Sequence, residues 1–106
     1  MSNAVAEYEK LVQSLCAQPG VAAGQMFGKP CLKVGGKAFA AQHKEAVVFK
    51  LTGPEHARAV ALPGAALWDP SGKGRPMKEW VALPARCNES FAALAAAAQL
   101  YVAGAA

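Results

Sequence analysis

Long apolar runs, paired cysteines, clustered histidines and paired carboxylates are all missing from this 106-residue chain. The most apolar stretch, the Ala-rich tail, is interrupted by Gln99 and is too weakly apolar for a membrane span. MSNAVAEYEK, at the N-terminus, has neither a basic region nor an apolar core, so no signal peptide is readable. Cys16, Cys31 and Cys87 form no CxxC pair and are odd in number, which predicts reduced thiols and a cytoplasmic protein. His43 and His56 are the only histidines, and no HxH, HxxxH or Cys/His spacing resembles a zinc site, so neither metal nor cofactor is expected. Asp69 and Glu79 are isolated acids rather than a general acid–base pair. Cys31 sits between Lys29 and Lys33, a setting that lowers a thiol pKa, but no histidine is placed beside it by spacing. The expectation is a protein that is not an enzyme.

What is present fits one domain over residues 1–106, long enough for a core without metal or disulfide. Hydrophobic residues make up 54% of the chain and charged residues 17%, which excludes disorder. Alanine inflates the first figure, so a thin two-layer core is expected. Net charge is +4, and its distribution says more than its sum. Every Lys and Arg except Lys10 falls between Lys29 and Arg86, where ten cations face only Glu45, Glu55, Asp69 and Glu79, a net of +6. A basic middle of this kind permits contact with polyanions.

Val5, Tyr8, Val12, Leu15 and Cys16 give an apolar stripe at helical spacing, with Ser2 or Asn3 as cap and Pro19-Gly20 as stop. Gly35-Gly36 then separates two candidate strands as a two-residue hairpin turn. That turn pairs Val34 with Lys37, Leu32 with Phe39 and Pro30 with Ala41 on the buried face. Lys29, Cys31 and Lys33 then lie on the outer face, across from Gln42, Ala40 and Ala38. Over Val47–Leu51, alternation turns Val47, Phe49 and Leu51 inward, with Val48 and Lys50 outward. Thr52, Pro54 and Glu55 signal a second helix start, ended by Leu62-Pro63-Gly64. Strands over Ala66–Asp69 and Met77–Leu83 follow, and a last helix starts at Asn88 and carries Phe91, Leu94, Ala98, Tyr101 and Val102. The expected fold is α+β: two layers in the order α-β-β-β-α-β-β-α, with a mostly antiparallel five-stranded sheet and helices packed on one face.

SGKGRPMKEW, from Ser71 to Trp80, resembles a phosphate loop only superficially. The first glycine of that motif would fall on Leu67, no hydroxyl residue follows Lys73, and a strand rather than a helix comes next. A turn in which Gly72 and Gly74 supply positive φ is expected, with Arg75 as the better phosphate contact if a polyanion docks. Trp68 and Trp80 flank this turn. Packing is their expected role, and stacking on a base is the alternative.

Three segments, MFGKPCLKVGGKAFA (Met26–Ala40), VVFKL (Val47–Leu51) and DPSGKGRPMKEWVALP (Asp69–Pro84), resemble in the same order the N-terminal domain of the TfoX/Sxy competence regulators. The resemblance implies an α-β3-α-β2-α two-layer fold, related to YjbR-like proteins and secretion chaperones. It implies that Met26, Phe27 and Gly28 begin the first strand and that Gly74-Arg75-Pro76 marks the loop before the last. It carries no catalytic residues. Pro30-Cys31 stands where the family commonly has glycine and an aromatic.

The expected function is therefore that of a cytoplasmic TfoX-N-like binding or regulatory domain. Nucleic acid would contact Lys29, Lys33, Lys50, Lys73, Arg75 and Lys78 on the sheet face and loop. The alternative is a protein–protein adaptor, a chaperone-like homodimer built on the outer sheet face or the Ala-rich helix, with no nucleic-acid binding. No membrane partner is expected.

Overall fold

A computed structural model describes residues 3–26, 28–69, 74 and 77–104. Asn3 has extended backbone, and its Oδ1 accepts from the Ala6 N–H at 2.8 Å, which caps α1 (Ala4–Leu15). The buried face of α1 is Ala4, Glu7, Tyr8, Leu11 and Leu15. This corrects the expected stripe: Val5 is 49% exposed, Cys16 is exposed and Val12 is half-buried. Choosing Ala4, Tyr8, Leu11 and Leu15 buries three large side chains, while the small Ala4 lets the helix start approach the sheet closely.

Among the described residues six strands, rather than five, form one antiparallel sheet: β1 (Val21–Met26), β2 (Lys29–Val34), β3 (Lys37–His43), β4 (Ala46–Lys50), β5 (Ala66–Trp68) and β6 (Met77–Pro84). Their spatial order is β1-β2-β3-β4-β6-β5. The extra strand is β1, whose VAAGQM lacks the β-branched and aromatic residues that advertise a strand. Met26 therefore ends β1 instead of opening the first strand, and Gly28 turns the chain into β2 with φ of +74°. Phe27 lies outside the described residues.

The β2–β3 hairpin pairs Val34 with Lys37 and Lys33 with Ala38, as the turn predicts, and then slips. Leu32 opposes Ala40 and Cys31 opposes Ala41, so the expected Leu32–Phe39, Pro30–Ala41 and Cys31–Ala40 pairs do not form. Phe39 is the extra residue of a bulge, and the slip lets Phe39 and Ala40 both enter the core beside Leu32.

Helices α1, α2 (Gly53–Val60) and α3 (Phe91–Gly104) all pack on one face of the sheet. Ala4, Tyr8, Leu11 and Leu15 of α1, Ala59 of α2, and Phe91, Leu94, Ala95, Ala98 and Val102 of α3 meet Leu32, Phe39, Val47, Phe49, Leu51, Val81 and Leu83 there. Phe49 and Phe91 lie with ring centroids 5.5 Å apart. Thr52 occupies the cap position of α2 without making a side-chain cap bond, and a 3-10 segment over Ala85–Ser90 delays α3 beyond the expected Asn88.

Candidate polyanion interface on the outer sheet face

The face turned away from the helices is the one that the expected alternation left to water. Cys31, Ala41 and Val48 are fully buried there, beneath Trp68 and Trp80 at 3% and 5% exposure. The two indoles sit on β5 and β6 with centroids 5.4 Å apart at a tilt of 59°. Small residues make room for them: Ala38, Ala41 and Ala82 line the cluster, together with Met77. Packing is thus the role of both tryptophans, and buried rings cannot offer a stacking platform to a base.

Around this second core stand the lysines. Lys29 and Lys33 share the face of Cys31 on β2, and Lys50 shares the face of Val48 on β4, opposite Trp80. All three are half-buried, as expected of amphipathic side chains whose stems cover apolar surface while the ammonium reaches water. Gly24 makes room for one of them, since a Cβ at that position would come within 3.3 Å of the Lys33 Cε. Four residues along a strand separate Lys29 from Lys33 by about 13 Å, and two strand spacings separate the Lys33 and Lys50 strands by about 10 Å. These distances exceed the Debye length of about 8 Å at physiological salt, so there each lysine acts on a nearby phosphate largely on its own.

Carboxylates are segregated from this surface. Strands β1 to β4 contain none, and among the described residues the single strand acid, Glu79, faces the helices, where the Tyr101 hydroxyl donates to its Oε2. Among the described residues Lys29, Lys33, Lys50 and Lys78 enter no ion pair.

Of the six candidate residues, the structure brings Lys29, Lys33 and Lys50 onto one face. Lys78 is exposed in an irregular stretch where Trp68 pairs with Met77 but Leu67 with Val81, so strand parity does not assign its face. Its backbone carbonyl accepts from His56 Nε2 at 2.7 Å, tying α2 to the sheet. Lys73 and Arg75 lie outside the described residues, as does Gly72. Gly74 has the expected positive φ, +77°, and its N–H donates to Asp69 Oδ2 at 2.8 Å.

One member of the site carries no sequence signal. His43, at the end of β3, accepts the Trp68 Nε1–H at its Nδ1 at 2.7 Å and meets the indole edge-on. Burial, then the positive charges of Lys29 and Lys44, push its pKa below the ordinary 6.5. The neutral imidazole is thus the folded form, and a proton on Nδ1 would displace the indole N–H. Stability from this contact is complete above about pH 6.5 and is lost as pH falls through the lowered folded value. Urea midpoints measured across that window are expected to fall more steeply for the wild type than for His43→Asn, which keeps an acceptor but cannot titrate. Equal slopes would show that His43 does not carry this dependence.

Cys31 is fully buried beneath the two indoles. Burial pushes its thiol up against the opposing pull of Lys33. Hollows of about 430 and 440 Å³ lie elsewhere, one beside the start of α1 and the other between α2 and α3, and neither is lined by Cys31 or a histidine. Among the described residues no group of three metal-ligating side chains converges, and no helix is long and apolar enough to cross a membrane. Compared with protein-family models, curated proteins and solved structures, the chain has no match in any of the three.

Proposed function

We propose that this is a non-enzymatic binding domain that takes a polyanion, nucleic acid in the first instance, across the helix-free face of its sheet. The observation that carries the reading is the charge segregation on the strands. Among the described residues Lys29, Lys33 and Lys50 share one face without ion pairs, and the only strand carboxylate, Glu79, points the other way. Lysines placed as point charges around an apolar patch suit sequence-independent contact with phosphates, because both tryptophans of this face are buried and do not present a ring to a base. Lys73 and Arg75 of the β5–β6 loop are further candidates for the same contact. The resemblance to the TfoX/Sxy N-terminal domain agrees with a binding or regulatory role in the cytoplasm.

The location is tested by titrating 15N-labelled protein with a short duplex DNA. Amide shifts are expected at Lys29, Lys33, His43 and Lys50 and in the β5–β6 loop, with α1 and α3 unmoved. Shifts confined to the helices would refute the assignment of this face.

A further inference from the structure

The two edges of the sheet are built differently. Edge strand β5 has three residues and an irregular register, features that discourage pairing with another chain. Edge strand β1 has six residues in continuous register with β2, and VAAGQM contains no charge and no proline. Ala22, Ala23 and Gln25 are exposed along it. It therefore carries no charge, proline or bulge of its own, three of the devices that protect an open edge.

Its unpaired backbone groups can be identified. Gly35 N–H donates to the Gly20 carbonyl at 3.2 Å, which makes Gly20/Gly35 a hydrogen-bonded pair. Antiparallel alternation then makes Ala22/Lys33, Gly24/Cys31 and Met26/Lys29 the next hydrogen-bonded pairs. Pro30 fits this phase, because it falls opposite Gln25 in a pair that needs no N–H from it. Val21, Ala23 and Gln25 therefore turn their N–H and C=O groups outward, and among the described residues only the Val21 N–H is engaged, with Gln18 O at 3.3 Å. This leaves two outward donors, at Ala23 and Gln25, and three outward acceptors, at Val21, Ala23 and Gln25.

We infer that β1 pairs antiparallel with β1 of a second copy of this chain, joining two sheets into one twice as wide. The pattern of free groups is its own complement. A two-fold register centred on Ala23 reciprocates Ala23 N–H with Ala23 C=O and Gln25 N–H with Val21 C=O, giving four bonds. Centring on Gly24 pairs Ala23 with Gln25 instead and also gives four. Ala22, Ala23 and Gly24 put no bulk at the axis, and the neutral strand puts no like charges there.

The pairing stands apart from the polyanion reading, but its consequence rests on it. It would set the two β2 strands about 14 Å apart, three strand spacings, so that two Lys29/Lys33 pairs form one basic surface. Repulsion between those lysines is screened by salt, so dimerisation is expected to strengthen with salt while nucleic-acid binding weakens. The two claims can therefore fail separately.

The test is sedimentation equilibrium without nucleic acid. At about 100 μM protein a dimer of micromolar affinity is well populated. At about 0.3 M salt the like charges are screened within 10 Å. Wild type is expected at twice the 10.9 kDa chain mass. Ala23→Pro removes an outward N–H that β2 does not use, and Ala23→Lys sets like charges across the axis. Both variants are expected at the chain mass with unchanged circular dichroism. Hydrogen exchange supplies a second reading: the Ala23 and Gln25 amides are protected in wild type, and the Gln25 amide exchanges freely in Ala23→Lys. Wild type at the chain mass, or variants that remain dimers, would overturn the inference.

Discussion

Alanine in place of Phe39 is expected to destabilise the fold by about 3–5 kcal/mol, the range for truncating a fully buried phenylalanine. Small domains hold only about 5–15 kcal/mol in total, so this single change removes a large share. Phe39 has no exposed surface and occupies the bulge that lets β3 send two successive residues into the helical core. Truncation there leaves a cavity under the helices, which the sheet cannot close without giving up the slipped register. Val5→Ala is the paired control. Val5 is 49% exposed, and the change is expected to cost no more than about 0.5 kcal/mol. Urea unfolding of the two variants beside wild type measures both. A small loss at Phe39 would contradict its place in the core, and a large loss at Val5 would mean that the apolar stripe read from spacing, and not the face seen in the structure, packs on the sheet.

Replacing Lys29, Lys33 and Lys50 together by glutamine is expected to weaken duplex binding by two to three orders of magnitude at about 0.1 M salt, the loss of about three phosphate contacts. Glutamine retains part of the aliphatic stem over Trp80 and Val48, so charge is removed with less disturbance to the second core than alanine would cause. Unfolding midpoints and Trp fluorescence should stay close to wild type. An unchanged affinity in a well-folded variant would leave these lysines as a solubilising coat.

The helices and the middle strands were legible in the sequence because their signals are local. Asn3 announces a cap, Gly35-Gly36 a hairpin, and Val47, Phe49 and Leu51 an inward face, and each does what its chemistry suggests. The misses have long-range causes. Strand β1 is made of alanine, glycine and glutamine, and it is a strand only because β2 supplies a ladder for it. The slip at Phe39 is dictated by the volume under the helices, which period-two counting from the turn cannot register. Cys31 and Val48 were assigned to water because one buried face was assumed, whereas Trp68 and Trp80, far along the chain, fold over the other. The grouping of Lys29, Lys33 and Lys50 survives because it depends on parity within β2 and β4 and on nothing further along the chain. His43 could not have been singled out, since its partner is an indole 25 residues away.

The most direct test of the central claim is the salt dependence of wild-type affinity for a duplex, followed by fluorescence anisotropy. Three phosphate contacts predict that log affinity falls against log salt with a slope of about −3, steepening toward −5 if Lys73, Arg75 and Lys78 join them. A slope near zero, or no binding at low salt, would contradict a polyanion site on this face.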